Sequence, residues 1–194
     1  MKDDKLSVLA VCGSLRRGSF NRLALRAAEA LAPTDMSFDT FDLAGLPMFN
    51  QDEEKDPPEI VSDLKRRIRA ADAVLIATPE YNYSIPGVLK NAIDCASRPY
   101  GDNAWNGKPV AIFGASVGVI GTARAQYHLR QCFVFLNMSA VNQPEVMIGN
   151  APQRFDASGN LTDETTQKLL RALLESLATL TRTLREGRAA LASA

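Results

Sequence analysis

The chain reads as an α/β protein, a five-stranded parallel sheet of order 2-1-3-4-5 with helices on both faces. Three observations predict this. Short apolar runs alternate with segments of helical periodicity about five times along 194 residues. Most of the runs are continuously apolar rather than alternating, as strands covered on both faces must be. The length suits one domain over residues 1–194, and no linker, internal repeat or low-complexity stretch divides it.

Residues 6–12, LSVLAVC, predict a buried strand that stops at Gly13. Phe20, Leu23, Ala24, Ala27, Ala28 and Leu31 then form one apolar helical stripe, with Ser19 where an N-cap belongs. MSFDTFDL, 36–43, alternates apolar and polar, which suggests a strand with a wetter face at the sheet edge. Residues 44–57 form a long polar loop with an acidic run, a solvated excursion or else a flap over a site. Pro58 opens a helix whose stripe is Val61, Leu64, Ile68 and Ala71. AVLIAT, 73–78, is the most strand-like run. The helix from Pro86 to Ser97 carries the stripe Ile85, Val88, Leu89, Ala92, Ile93 and Ala96. PVAIFGAS, 109–116, is a fourth strand, 122–136 a helix, and 139–148 a fifth strand interrupted by Pro144. A leucine-rich helix from about Asp163 to Arg185 closes the fold. Its leucines, with CFVFL at 132–136, exceed what one stripe needs. Core packing accounts for most of the excess, and a subunit interface is the second reading.

Composition excludes several classes of partner. Lys+Arg and Asp+Glu balance at 22 each, so no global field recruits nucleic acid or an anionic membrane. No apolar run approaches the ~20 residues that span a bilayer. The opening MKDDKLSVLAV lacks the features of a signal peptide. Cys12, Cys95 and Cys132 fit neither a zinc pattern nor a disulfide framework, so each reads as a small core residue in a reducing cytoplasm. His128 is the sole histidine, which leaves no multi-histidine metal site within a protomer, and no metal is expected.

Ligands of an open parallel sheet bind beyond the carboxyl ends of its strands, near the switch in strand order. That rule selects the loops 13–21, 78–86 and 114–121. In the first, GSLRRGSFN, glycines permit close approach, and the unpaired N–H groups of the following helix favour a phosphate. Ser14, Ser19 and Asn21 add donors, and Arg16 or Arg17 adds charge. Gly13 and Gly18 have the Walker spacing, but the lysine of G-x-x-x-x-G-K-S/T is missing, and the dinucleotide fingerprint G-x-G-x-x-G fails too. A cysteine phosphatase loop needs C-x5-R, whereas Gly18 stands six positions after Cys12 and Arg17 is one short. The second loop, TPEYNYSIP, is stiffened by two prolines that leave the N–H groups of Glu80, Tyr81 and Asn82 free of sheet pairing. Its tyrosines and asparagine suit a planar heteroaromatic, stacked on its face and hydrogen-bonded along one edge. The third, GASVGVIG, sets Gly114, Gly118 and Gly121 around Ser116. A phosphate cradle facing a planar-ring cradle describes a site for flavin mononucleotide.

The motifs GSLRRGSFN (13–21), PEYNYSIPGVLKNAID (79–94) and GKPVAIFGASVGVIGTARAQYHLRQ (107–131) together resemble a known family. It is the NADPH-dependent FMN reductases of flavodoxin-like fold, a three-layer sandwich, which includes bacterial quinone, chromate and azo reductases. The resemblance implies that Ser14, Arg16, Ser19, Phe20 and Asn21 bind the FMN phosphate. It implies that Pro79, Glu80, Tyr81, Asn82 and Tyr83 line the isoalloxazine edge, and that Ser116, Val117 and Gly118 approach its other side. NADPH or NADH would donate hydride, and quinones, azo compounds or chromate would accept electrons at the same face. The chemistry rests on FMN N5 with no catalytic side chain, and His128 reads as structural. The implied assembly is a homodimer or homotetramer with the flavin near a subunit boundary. Two other classes remain: a non-enzymatic flavodoxin-type electron carrier, which the zero net charge disfavours, and a phosphatase using Cys12.

Overall fold

The computed structural model describes residues 5–193; the charged opening residues 1–4 lie outside them. Strands β1 (Leu6–Cys12), β2 (Met36–Phe41), β3 (Ala73–Ala77), β4 (Pro109–Ala115), β5 (Ser139–Ala140) and β6 (Val146–Ile148) form one sheet. Its order is β2-β1-β3-β4-β5, with β6 also on β4 and every pairing parallel. The helices are α1 (Phe20–Leu31), α2 (Glu59–Ala70), α3 (Gly87–Ala96), α4 (Ala123–Leu136) and α5 (Glu164–Ala192). This is the predicted flavodoxin-like arrangement.

The period of two along each central strand divides its side chains between two cores. Leu6, Val8 and Ala10 of β1 pack with Leu75 of β3 and Phe113 of β4 beneath α1 and α5. Leu9 and Val11 pack with Val74, Ile76, Val110 and Ile112 beneath α2, α3 and α4. The outer strand β2 buries its ends and exposes its middle, as its alternation predicts for an edge.

Three details depart from the sequence reading. The fifth strand is split: β5 pairs with the start of β4 at Pro109 and Val110, and β6 with its end from Phe113 to Ala115. The intervening residues leave the ladder at Pro144, which has no N–H to donate. The last helix runs on to Ala192, because the alanine-rich sequence beyond Arg185 contains nothing that stops a helix firmly. The polar loop 44–57 is largely exposed and holds a 3-10 turn at Gln51–Glu53. It is anchored as well, since the Asn91 side chain of α3 donates to Pro47 O and accepts from Phe49 N, both at 2.8 Å.

Thr78 and Thr122 leave no room for a side chain at Gly114 on β4. A Cβ there would sit 2.1 Å from the Thr78 carbonyl oxygen and 2.1 Å from Thr122 Oγ1. Gly114→Ala is therefore expected to cost about 1–3 kcal/mol, read as a lowered thermal midpoint; an unchanged melt would show that Thr78 and Thr122 can give way.

Candidate cofactor site

The loops after β1, β3 and β4 open on one rim and are bonded to one another. Gly13 N donates to Ala77 O at 2.8 Å, and Thr78 N to Phe113 O at 2.9 Å. A Cβ on Gly13 would lie 3.2 Å from the Pro86 ring and 3.3 Å from that of Pro79, so the first loop seats tightly on the second. Asn21, at the start of α1, ties the first loop to the third. Its amide donates to Ala115 O and accepts from Ala115 N, both at 2.8 Å, with the side chain buried.

The first loop has the chemistry of an anion seat. Ser14 and Ser19 are buried. Ser19 Oγ accepts the Asn21 N–H at 3.2 Å, which caps α1 and leaves the hydroxyl proton free to donate elsewhere. Among the described residues, the N–H groups of Arg16, Arg17, Gly18 and Phe20 donate to no protein acceptor. They stand where the partial positive charge of the helix gathers. The Arg16 guanidinium lies 6.0 Å from the centre of the Phe20 ring, which in turn packs 5.7 Å from Phe155. Asn21, read as a phosphate ligand, has its side chain engaged on β4 at both ends, so the structure makes it the tie between loops.

The second loop is a two-residue turn closed by Tyr81 N to Ser84 O and Ser84 N to Tyr81 O, each 3.0 Å. Its central residues are left-handed, Asn82 at φ 51° and Tyr83 at φ 66°. The Tyr81 N–H stays out of the main sheet, as expected, but it closes the turn and is not left for a ligand. The Glu80 and Asn82 N–H groups donate to no protein acceptor among the described residues. Pro79 is buried behind the turn, whereas Tyr81, Asn82 and Tyr83 are exposed. Glu80 turns away from them. Its carboxylate accepts from Arg124 N at 2.9 Å, Ala125 N at 3.1 Å and Arg124 Nη1 at 3.0 Å, capping α4. Arg124 lies over the Tyr83 ring, 3.9 Å from its centre. His128 on α4 braces the same turn, its Nδ1 3.0 Å from Ser84 Oγ.

The third loop presents apolar side chains to solvent, Val117 and Val119 being 71 % and 77 % exposed. Ser116 Oγ accepts the Gly118 N–H at 3.2 Å and so shapes the bend. Two contributors were not identified in the sequence. Arg124 lies in the motif spanning 107–131, but its pairing with Glu80, 44 positions away, leaves no local pattern. The segment after β6 supports the third loop, with Asn150 N donating to Gly118 O at 3.1 Å and Ala151 N to Ser116 O at 3.0 Å.

The phosphatase alternative finds no nucleophile. Cys12 packs in the core beneath α1, and burial pushes its thiol up from the ordinary range, which disfavours the thiolate. Cys95 and Cys132 are raised by burial as well.

Comparison with known proteins agrees with this geometry. The model of the NADPH-dependent FMN reductase family matches residues 6–153. The chain is 51 % identical over 186 residues to an NAD(P)H-dependent FMN reductase of Pseudomonas aeruginosa, covering 95 % of this chain and 100 % of the other. It is 50 % identical over 173 residues to a 2-hydroxy-1,4-benzoquinone reductase of a Burkholderia species, covering 89 % and 94 %. Among solved structures, the flavoenzyme FerB, an NAD(P)H:(acceptor) oxidoreductase from Paracoccus denitrificans, superposes with a TM-score of 0.85 at 40 % identity, over 92 % of this chain and 98 % of that one. This chain belongs to the NADPH-dependent FMN reductase family.

Proposed function

We propose that the protein is an FMN-dependent NAD(P)H oxidoreductase that reduces quinones and similar small acceptors, acting as a single domain over residues 1–194. One juxtaposition carries this reading. A helix N-terminus with two buried serines and unpartnered N–H groups is bonded, through Gly13 and Ala77, to an exposed Tyr-Asn-Tyr turn. The first suits a phosphate monoester and the second a flat ring with polar edges, which are the two ends of FMN.

In this reading Ser14, Arg16 and Ser19 hold the phosphate with the N–H groups at the start of α1, and Phe20 closes the side of that seat. Pro79 to Tyr83 line one side of the ring and Ser116, Val117 and Gly118 the other. The Glu80 and Asn82 N–H groups are donors for the ring edge, where they steady negative charge. Val117 and Val119 make that side apolar and keep water from the reacting face. FMN bound there would supply the redox chemistry between NAD(P)H and the acceptor, so no acid–base dyad is required of the protein.

The relatives named for quinone and FMN reduction support the acceptor class. Among the described residues no helix is long and apolar enough to cross a membrane. The free cysteines support a reducing, cytoplasmic setting. Val134 and Phe135 on α4 are 82 % and 72 % exposed, which supports self-association as a homodimer or homotetramer through that helix.

Four outcomes test the proposal. The purified protein, given FMN and gel-filtered, is expected to stay yellow and to oxidise NADPH with benzoquinone and no partner protein; a colourless protein ends the reading. Arg16→Ala, which removes a charge-assisted contact, is expected to weaken FMN binding about tenfold or more, by fluorescence titration of the released flavin. Glu80→Ala uncaps α4 and frees Arg124 from beside Tyr83, at an expected cost of about 1–2 kcal/mol in thermal unfolding; an unchanged midpoint would mean that the cap contributes nothing. Phe135→Lys is expected to shift the protein to a smaller species in sedimentation velocity, and an unmoved distribution would place the interface elsewhere.

A further inference from the structure

The rim opposite the cofactor loops, where the strands begin, carries a cleft of its own. Three arginines spaced about a turn apart on α5 meet in succession the loops that lead into β2, β3 and β4. Arg182 pairs with Asp35, and Arg185 Nη2 lies 2.8 Å from Asp72 Oδ1. Arg188 breaks the series, because its Nη2 donates to Gly107 O, a neutral carbonyl. Beside it, Lys108 Nζ donates to the carbonyls of Arg69 and Ala71 at the end of α2, at 2.9 and 2.5 Å. Asp72, Lys108, Arg185, Arg188 and Arg69, the last turned onto Asp102, wall a cleft of about 220 Å³.

The charges in that cleft do not balance. Asp72 is the carboxylate in its wall, and both oxygens are engaged, Oδ1 by Arg185 and Oδ2 by the Ser7 N–H at 2.9 Å. Lys108 and Arg188 have no carboxylate partner among the described residues. Their carbonyl acceptors satisfy hydrogens without supplying a full countercharge, since the carboxyl end of a helix offers only about half of one. The two cations also feel each other. Burial holds the Lys108 ammonium below its ordinary range; Asp72 opposes that shift and Arg188 adds to it. Capping accounts for where each side chain is anchored. It leaves two like charges gathered in one concavity.

We propose that this cleft binds a phosphate dianion, free or as the head of a phosphate monoester, between Lys108 and Arg188. Lys108 spends two of its three hydrogens on α2 and keeps one, while Arg188 spends one on Gly107 and keeps the rest of a planar fork. Bonds from both to one phosphoryl group are charge-assisted, and two negative charges match the two uncommitted cations. The cleft lies at the opposite end of β4 from Ser116, about 20 Å away by the rise of a seven-residue strand. It is thus separate from the proposed phosphate seat at α1 and does not rest on the cofactor reading.

The test follows the arginine Nε–H signals of the FMN-saturated protein by NMR as inorganic phosphate or ribose 5-phosphate is added in a low-chloride buffer. The Arg185 and Arg188 signals are expected to move together and to saturate, with a dissociation constant of about 1 mM. In Arg188→Ala, read on Arg185, binding is expected to weaken about tenfold, the scale of one charge-assisted contact. Arg171→Ala removes the same charge from an exposed position of α5 outside the cleft, and there the constant is expected to change by less than about twofold. The tighter of the two ligands identifies the source, the free ion or the monoester, and saturation by either supports the site. Signals that drift without saturating would overturn it, as would an Arg171→Ala protein weakened as much as Arg188→Ala, because the attraction would then belong to the surface charge at large. Movement of the Arg16 signal in place of Arg188 would put the phosphate at α1 and overturn it as well.

Discussion

The side-chain amide of Asn21 is the constraint on which the rim depends. It satisfies both backbone groups of Ala115 at the end of β4, a pairing that a neighbouring strand would otherwise supply. The order β1-β3-β4 puts β3 between the two partners, so α1 must cross that strand for the amide to reach. The crossing fixes the start of α1 against the third loop, and with it every donor of the first. A buried amide that lost these partners would forfeit about 1–3 kcal/mol for each polar group left unsatisfied. The interaction is therefore well able to hold one geometry.

Three helices begin at this rim beside the loops, and their N-termini are treated differently. The start of α4 receives the Glu80 carboxylate and is neutralised. The start of α3 follows Pro86, which is crowded by Gly13 of the first loop. None of the three has an acidic residue in its own first turn, but α1 alone begins beside Arg16 and Arg17 with a serine cap whose proton is free. An incoming dianion thus meets one open positive pole next to one already filled. In the proposed reading that difference orients a long ligand across the rim, its phosphate at α1 and its remainder toward the turn at 81–84.

The fold was legible because its signals are periodic. Continuous apolar strands and single-stripe helices each repeat several times, and the sheet order follows from their alternation. The split fifth strand was harder to read, since Pro144 marks the interruption while giving no hint that both halves return to the same partner. Within the site, Ser19 was readable because a cap is a local pattern. Asn21 was read by its type as a phosphate donor, and its side chain is engaged on β4; Glu80 was read for its backbone N–H, and its carboxylate caps α4. Their partners, Ala115 and Arg124, are 94 and 44 positions away, and no spacing rule reaches that far. What a polar side chain does in a loop is decided by whichever distant backbone the topology brings beside it.

The turn at 81–84 shows what that arrangement sustains. Two left-handed residues in succession ordinarily call for Asn-Gly, and here the second is Tyr83. A side chain in that conformation costs about 1–2 kcal/mol, which a glycine would avoid. The ring is held nonetheless: Arg124 stacks on it at 3.9 Å, Glu80 fixes Arg124, and the Ser84 hydroxyl meets His128. Since these contacts come from α4, the strain in the second loop is balanced by the helix that begins after the third. Strain of this kind persists only where its surroundings over-determine it. Tyr83 is 66 % exposed, so core packing does not account for its presence in place of glycine. A flat aromatic surface standing at the rim does.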